Sequence, residues 1–129
     1  MYFTKEDIKN KKITIIGLKK SGYSAAILAY SFGAEVFASD CEDDNDTRIN
    51  YNKLVKKGIQ CEIGKHSERI FNSNFWVISP GVPKDIDIIK KAKKLNIPVL
   101  GEIEFASKFT NKPIVAVTGS NGKSTTVNI

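Results

Sequence analysis

A β-branched run, Ile-Thr-Ile-Ile at residues 13–16, stops at Gly17 and gives way to apolar residues at helical spacing. Such a run predicts a buried strand, and the glycine predicts a tight turn from the strand into a helix. The helix should end at Gly33, and residues 35–39 then form a second strand that ends at Asp40. The chain up to Asp40 is therefore predicted to be one β-α-β unit, which requires parallel strands.

The same alternation continues up to residue 100. The pattern predicts helices at residues 47–57 and 85–95 and a short helical turn at residues 67–71. It predicts strands at residues 59–63, 75–78 and 97–100, between these helical segments and after the last of them. Strands that alternate with helices favour a parallel sheet, and right-handed crossovers place helices on both of its faces. We therefore predict an α/β fold, with a Rossmann-like domain over residues 1–100.

Residues 101–129 are predicted to begin a second structural unit. A connecting helix is expected over residues 102–109, and Asn-Lys-Pro at residues 111–113 separates it from a new strand at residues 114–117. We expect this unit to be the opening of a second domain that the chain does not complete, and the loop at residues 119–125, described next, indicates an ATPase domain. An unpaired β-branched strand of this kind favours association, so we expect a monomer or a weak dimer.

The loop after this last strand has the composition of a phosphate-binding loop. Backbone N–H groups of such a loop hold phosphates, and the residues that would form it are Gly119, Ser120, Asn121, Gly122, Lys123, Ser124 and Thr125. In this interpretation Lys123 reaches the β- and γ-phosphates of ATP and Ser124 binds Mg²⁺. The alternative is an ordinary polar turn, because residue 117 is valine where the common pattern has glycine.

Charge and cysteine content narrow the class of protein. Twenty Lys and Arg residues against fourteen Asp and Glu residues give a formal net charge of +6. The excess lysines are spread over predicted helices and loops, a solvated pattern that does not indicate a nucleic-acid partner. Two cysteines without a CxxC motif and one histidine support neither a zinc site nor a disulfide framework.

The sequence has no membrane-span or signal-peptide pattern, so we expect a cytoplasmic protein with no membrane partner.

The turn between the first strand and the first helix is a candidate binding site. Residues 17–22 (Gly-Leu-Lys-Lys-Ser-Gly) partly match the fingerprint G-x-G-x-x-G, which holds a pyrophosphate at a helix N-terminus. Lys19 replaces the second glycine, although its charge can attract the same phosphate. Asp40 lies where such folds place an acid that binds a ribose or a base. A purely structural turn with a solvated Asp40 is the alternative.

A third candidate site is Ser-Pro-Gly-Val-Pro at residues 79–83, after the predicted fourth strand. Ligands of open α/β sheets collect at the carboxyl ends of strands, but a purely structural turn accounts for these residues at least as well. His66 is expected at the surface. No spacing indicates a nucleophile, base and acid, so we assign no catalytic residue within the chain.

Three segments, in this order, resemble the Mur ligase family of peptidoglycan synthesis. The first is Ile-Ile-Gly-Leu-Lys-Lys-Ser-Gly at residues 15–22, followed by Ser-Asp at residues 39–40. The second is residues 79–83 with Ile-Pro-Val-Leu-Gly-Glu-Ile-Glu at residues 97–104, and the third is Val-Ala-Val-Thr-Gly-Ser-Asn-Gly-Lys-Ser-Thr at residues 115–125. The second segment resembles the family branch that adds D-glutamate and is lacking in the branch that adds L-alanine.

The resemblance implies a reaction and a set of ligands. ATP would phosphorylate the carboxylate of UDP-N-acetylmuramoyl-L-alanine, and the amine of D-glutamate would attack the acyl phosphate. ATP and Mg²⁺ would be required by the whole enzyme, and this chain alone is expected to be inactive. The diphosphate would contact Gly17, Leu18, Lys20, Ser21 and Gly22. The uracil would contact Asp40 and Cys41, and the sugar side would contact Gly81.

A dinucleotide-binding oxidoreductase domain is the competing prediction. It is favoured by Asp40 and by the strand, turn and helix around Gly17. It is opposed by Lys19 at the second glycine position and by a second phosphate loop near residue 119. Binding of NAD(H) would discriminate the two.

Overall fold

A computed structural model describes residues 5–83 and 86–108 of the chain. In these residues the elements are α1 Lys5–Ile8, β1 Lys12–Ile16, α2 Lys20–Ser31, β2 Glu35–Asp40, α3 Asn45–Lys56, β3 Gln60–Ile63, a 3₁₀ helix Glu68–Phe71, β4 Phe75–Ile78, α4 Asp87–Lys94, β5 Val99–Gly101 and α5 Glu102–Ser107. The predicted order of strands and helices is confirmed up to residue 108. The short helix α1 was not predicted, because four residues carry too little periodicity to indicate a helix.

The five strands form one parallel sheet in the order β3-β2-β1-β4-β5. β1 therefore lies in the centre, with Ile13 opposite Val36 of β2 on one side and Phe75 of β4 on the other. The chain winds outward from β1 first in one direction and then in the other, so the strand order reverses beside β1. Ligands of doubly wound sheets bind at such a switch point. The predicted α/β Rossmann-like fold is confirmed.

One face of the sheet is covered by α2, α3 and α5. Residues 13 and 15 of β1 and residue 77 of β4 point to this face, because alternate residues of a strand share a face. Ala25, Ala26 and Ala29 of α2 are buried there, and their short side chains let the helix approach the sheet closely. Phe105 of α5 is fully buried in the same cluster.

The opposite face is covered by α4 and the 3₁₀ helix. Trp76 of β4 is fully buried here, and its ring nitrogen donates a 2.7 Å hydrogen bond to the carbonyl oxygen of Ile70. The hydroxyl of Thr14 donates to the same carbonyl at 3.2 Å. Ile89 and Ala92 of α4 complete the cluster, so helices cover both faces, as predicted.

The second predicted unit falls mostly outside the described residues. The strand at residues 114–117 and the phosphate loop at residues 119–125 lie there, so the P-loop stays a prediction. The domain boundary at residue 100 also stays a prediction, although α5, just beyond it, packs on the sheet through Phe105. No helix of the described part is long and apolar enough to cross a membrane.

Candidate functional site

A cleft of about 510 Å³ opens at the carboxyl ends of β1, β2 and β4. Its walls come from four connections, namely those after β1, β2, β3 and β4. Six of the eight residues predicted for the UDP site line it, namely Gly17, Lys20, Ser21, Asp40, Cys41 and Gly81. The other lining residues are Ile16, Lys19, Glu42, His66, Ser79, Pro80, Val82, Pro83 and Ile86. The parallel sheet thus brings segments far apart in sequence to the switch point.

The remaining two predicted residues support the cleft from behind. The side chain of Leu18 is fully buried in the core, and its backbone N–H donates a 2.8 Å hydrogen bond to Oδ2 of Asp40. Gly22 is buried in the first turn of α2. Neither residue is part of the cleft wall, so their predicted contact with the diphosphate stays a prediction.

Gly17 and Gly22 are required by packing. Gly17 has a φ of +103°, and a Cβ at this position would lie 2.7 Å from Oγ of Ser79. A Cβ on Gly22 would lie only 1.7 Å from the carbonyl oxygen of Gly17. These two glycines let the start of α2 lie directly against the turn after β1, which is the role of the third glycine in dinucleotide-binding fingerprints.

The N-terminus of α2 presents uncapped backbone N–H groups. The first hydrogen bond of the helix runs from Tyr23 N–H to the carbonyl oxygen of Lys19 at 2.8 Å, so the N–H groups of residues 20–22 precede it. Lys19 is the N-cap residue and cannot cap the helix, because an ammonium group has no acceptor. At α3, by contrast, Asp44 accepts a 2.9 Å hydrogen bond from the N–H of Thr47. The start of α2 is therefore suited to bind an anion.

Lys19 adopts an ordinary conformation for a non-glycine residue, with φ −74°. Its ammonium group forms a hydrogen-bonded ion pair with Asp44 and lies 3.6 Å from Oε1 of Glu42. The hydrogen bond to Asp44 raises the pKa of Lys19, and the same bond lowers the pKa of Asp44. The lysine that replaces the second glycine thus links the turn after β1 to the loop after β2.

Asp40 is nearly buried at the end of β2, with 7% of its surface exposed. Its Oδ2 atom accepts the N–H of Leu18 and its Oδ1 atom accepts the N–H of Glu42, both at 2.8 Å. The carboxylate therefore holds together the two loops that line the cleft. It still faces the cleft, where further lone pairs can accept hydrogen bonds.

Ser79 is a site residue that the sequence analysis placed in a candidate segment without assigning it a role. It is buried, with 8% of its surface exposed, and it lies against Gly17 in the cleft wall. Its Oγ atom has no hydrogen-bond partner among the described residues. A buried hydroxyl without a partner is costly, so this oxygen is a candidate group for a ligand contact.

His66 was expected at the surface and is instead half-buried in the cleft wall. Its Nδ1 atom lies 2.7 Å from Oγ of Ser39, and that hydroxyl lies 2.8 Å from Oε2 of Glu62. Burial lowers the pKa of His66, although Asp40 and Glu62 partly oppose this shift. The expectation was wrong because β3 pairs with β2, which brings the loop after β3 to the cleft.

The two cysteines are free thiols, and they differ in their surroundings. Cys41 is exposed in the cleft wall. Cys61 is half-buried, and burial raises its pKa to about 12. Within residues 5–83 and 86–108, no three His, Cys, Asp or Glu side chains come together in a way that could hold a metal ion.

These features define a Rossmann-like domain with a ligand cleft at the switch point. They are the parallel sheet, the reversal of strand order beside β1, and the glycine turn that packs against the uncapped start of α2. The family model described as "Mur ligase MurD-like, N-terminal domain" matches residues 11–101. The chain belongs to this family of Mur ligase N-terminal domains, which confirms the resemblance found in the sequence.

Relatives and solved structures agree with this assignment. The chain is 43% identical over 122 residues to the UDP-N-acetylmuramoylalanine--D-glutamate ligase of Chloroherpeton thalassium, a match that covers 95% of this chain and 26% of that protein. The enzyme of the same name from Bdellovibrio bacteriovorus is 36% identical, with 100% of this chain and 28% of that protein covered. The chain therefore spans about a quarter of the length of these curated relatives.

Solved structures with this fold include ligases and dehydrogenases. UDP-N-acetylmuramate-alanine ligase MurC from Thermotoga maritima superposes with a TM-score of 0.60 at 25% identity, over 75% of this chain and 22% of that one. Shikimate dehydrogenase from Aquifex aeolicus superposes with a TM-score of 0.50 at 16% identity, over 78% and 46% of the two chains. At that identity the dehydrogenase shares the fold alone.

Proposed function

We propose that the cleft binds the UDP end of UDP-N-acetylmuramoyl-L-alanine. The chain would then be the N-terminal domain of a cytoplasmic, ATP-dependent ligase that adds D-glutamate to this substrate in peptidoglycan synthesis. The observation that carries the proposal is the meeting of an uncapped helix N-terminus and the unsatisfied Ser79 hydroxyl at one switch-point cleft. Relatives that are named as D-glutamate ligases support the choice of substrate.

The diphosphate is expected at the start of α2. Three backbone N–H groups and the positive end of the helix dipole attract an anion there, and the side chain of Lys20 adds a charge. Ser79 packs against Gly17 and Gly22, and we expect its hydroxyl to donate to a phosphate oxygen of the bound ligand. Because Gly17 and Gly22 have no side chains, Ser79 and the start of α2 can both pack against this turn.

The order of the strands suggests how the rest of the ligand lies. β2 and β3 are on one side of β1, and β4 is on the other. With the diphosphate above β1, the nucleoside would extend toward Asp40, Cys41 and His66, and the sugar would extend toward Gly81. This matches the arrangement that the sequence resemblance implies.

The chemical step is proposed for the whole enzyme. The γ-phosphoryl group of ATP would pass to the L-alanine carboxylate and release ADP. The amine of D-glutamate would then attack the carbonyl carbon, inorganic phosphate would leave, and the amine would lose a proton. We expect residues 119–125 to hold ATP, with Lys123 on the phosphates and Ser124 at Mg²⁺, which lowers the barrier by positioning and charge neutralisation. These residues lie outside the described part of the chain.

Calorimetric titration of the chain with UDP, UDP-N-acetylmuramoyl-L-alanine, NAD and Mg-ATP tests the proposal. Ser79→Ala is the informative variant, because the structure gives the hydroxyl no partner in the described residues, and its removal should leave the free energy of unfolding unchanged or higher. Loss of a hydrogen bond to a charged phosphate should weaken UDP binding about 10- to 100-fold. Ser31→Ala, at the far end of α2, is the matched control and should bind UDP as the unchanged chain does.

The outcomes separate the two candidate functions. Saturable binding of the uridine ligands that depends on Ser79 supports the proposal. Preference for NAD over both uridine ligands would favour the oxidoreductase domain instead. Equal UDP affinity of Ser79→Ala and the unchanged chain would mean that the ligand does not occupy the glycine turn.

A further inference from the structure

We propose that His66 presents an unprotonated Nε2 atom to the cleft and accepts a hydrogen bond from the nucleoside of the ligand. This inference rests on the proposed function for the presence of a nucleoside. Its donor is either the imide N3–H of uracil or the 2′-hydroxyl of the ribose. His66 would thus be a residue that selects which nucleosides fit.

The argument begins at Glu62, whose Oε2 atom accepts two hydrogen bonds. One comes from the backbone N–H of Ser67 at 2.7 Å, and the other involves the hydroxyl of Ser39 at 2.8 Å. The pKa of Glu62 is lowered overall. Partial burial acts to raise it, but the hydrogen bonds from Ser67 and Ser39 act in the opposite direction and outweigh the burial. An ionised carboxylate can only accept. The other acceptor near the Ser39 hydroxyl, the carbonyl oxygen of Lys65, lies 3.5 Å away, so the hydroxyl hydrogen points to Oε2 of Glu62 at 2.8 Å.

The direction of this hydrogen fixes the tautomer of His66. Nδ1 of His66 lies 2.7 Å from Oγ of Ser39, whose only hydrogen is already directed to Glu62. The contact is therefore favourable only if Nδ1 carries a hydrogen and donates it to Ser39. In a neutral imidazole the other nitrogen, Nε2, then has a lone pair and no hydrogen.

His66 is held neutral and next to the ligand space. Its burial lowers its pKa, and the charged groups that act against this shift are Asp40 of β2 and Glu62 of β3. The ring is part of the cleft wall beside Asp40 and Cys41. Among the described residues no group bonds to Nε2, whereas both carboxylate oxygens of Asp40 already accept backbone N–H groups.

An acceptor at this position distinguishes between the parts of a nucleotide. A phosphate oxygen also accepts hydrogen bonds, and its charge would be repelled by the lone pair of Nε2 and by the nearby Asp40. The N3–H of uracil and the ribose hydroxyls are donors. The nucleoside is therefore the part of the ligand that the arrangement fits.

The tautomer can be measured without any ligand. His66 is the single histidine of the chain, so a two-bond ¹H–¹⁵N correlation spectrum at pH 7 shows one imidazole. We expect Nδ1 to be protonated and Nε2 to be unprotonated. A ring with its hydrogen on Nε2, or with hydrogens on both nitrogens, would overturn the inference whether or not the chain binds UDP.

The contact itself is tested with ligand analogues. Binding of UDP, 3-methyl-UDP and 2′-deoxy-UDP is compared in the unchanged chain, in His66→Phe and in His66→Gln. We expect one analogue to bind the unchanged chain about tenfold more weakly than UDP, because it leaves Nε2 without a donor. The analogue that loses affinity identifies the donor as N3–H or as the 2′-hydroxyl.

The variants decide between His66 and its neighbours. In His66→Phe the difference between UDP and that analogue should disappear, whereas the amide oxygen of His66→Gln can accept the same hydrogen bond and restore part of it. Equal binding of all three ligands by the unchanged chain, or a difference that persists in His66→Phe, would overturn the inference and point to another acceptor such as Asp40. Absence of UDP binding in every variant would instead refute the proposed function.

Discussion

Replacing Gly22 with alanine tests how closely the start of α2 packs against the turn after β1, behind the cleft wall. The added methyl carbon would lie 1.7 Å from the carbonyl oxygen of Gly17, while real Cβ atoms keep at least 3.0 Å from such atoms. The start of α2 must therefore move from the turn after β1 by more than about 1 Å. Both partners are backbone, so no side chain can rotate to relieve the contact.

The expected change in stability combines two opposing terms. Overpacking of this kind lowers the free energy of unfolding by typically about 1–3 kcal/mol, and a clash with fixed backbone belongs at the upper end. Alanine in place of a helical glycine returns about 1 kcal/mol. We expect Gly22→Ala to lower the free energy of unfolding by about 2 kcal/mol, which lowers the melting temperature by roughly 10 °C.

Urea unfolding followed by circular dichroism measures this change. Gly81→Ala is the matched control for stability, because a Cβ at Gly81 meets no atom within 4 Å among the described residues. We expect the control to change the free energy of unfolding by less than about 0.5 kcal/mol. If Gly22→Ala were instead stabilised by about 1 kcal/mol, as at an ordinary helical glycine, the close approach of α2 to the turn would be refuted.

Three further predictions concern the groups around the cleft. Lys19→Ser should melt at a higher temperature than Lys19→Ala but bind UDP more weakly, because a serine hydroxyl caps the N–H groups that the phosphate needs. Equal UDP affinity of the two variants would contradict an anion site at the start of α2. Iodoacetamide should modify Cys41 before Cys61, whose pKa is raised to about 12, and saturating UDP should slow the modification of Cys41 alone. Mass spectrometry of the labelled peptides measures both rates, and equal slowing of both would place UDP elsewhere. The free energy of unfolding should fall as the pH falls from 7 to 5, because the pKa of His66 is lowered by burial in the folded chain and is about 6.5 in the unfolded chain. In urea unfolding at several pH values, His66→Phe should show a smaller fall, and an equal fall would mean that other groups cause it.

The fold was predictable because its signals are local. Residues 13–16 and 75–78 are short apolar runs bounded by turns, and such runs indicate buried strands without knowledge of their neighbours. Parallel pairing followed from the helices between the strands. The boundaries were less certain, since α2 begins at Lys20, before its first apolar position, and β5 ends at Gly101, one residue later than predicted.

The composition of the cleft was predictable only in part. Gly17 follows β1 and Asp40 ends β2, and residues at the carboxyl ends of parallel strands gather at one edge of the sheet. His66 also follows a strand, and the pairing of β3 with β2 could have placed it at the same edge. The free hydroxyl of Ser79 could not be predicted, because it is known only after every nearby donor and acceptor has been accounted for.

The glycine fingerprint separates here into positions with different physical causes. Gly17 is favoured by its φ of +103° and by the contact with Ser79, and Gly22 is favoured by the nearby carbonyl of Gly17, so both positions are set by packing within the domain. The second position has no such requirement, since Lys19 takes a φ of −74° and turns its side chain to Asp44. In dinucleotide-binding domains that position is a glycine because the ligand approaches it, and not because the fold needs it. A lysine there is therefore compatible with the fold and with an anion at the start of α2, and it removes only the close approach of a pyrophosphate to the backbone at residue 19.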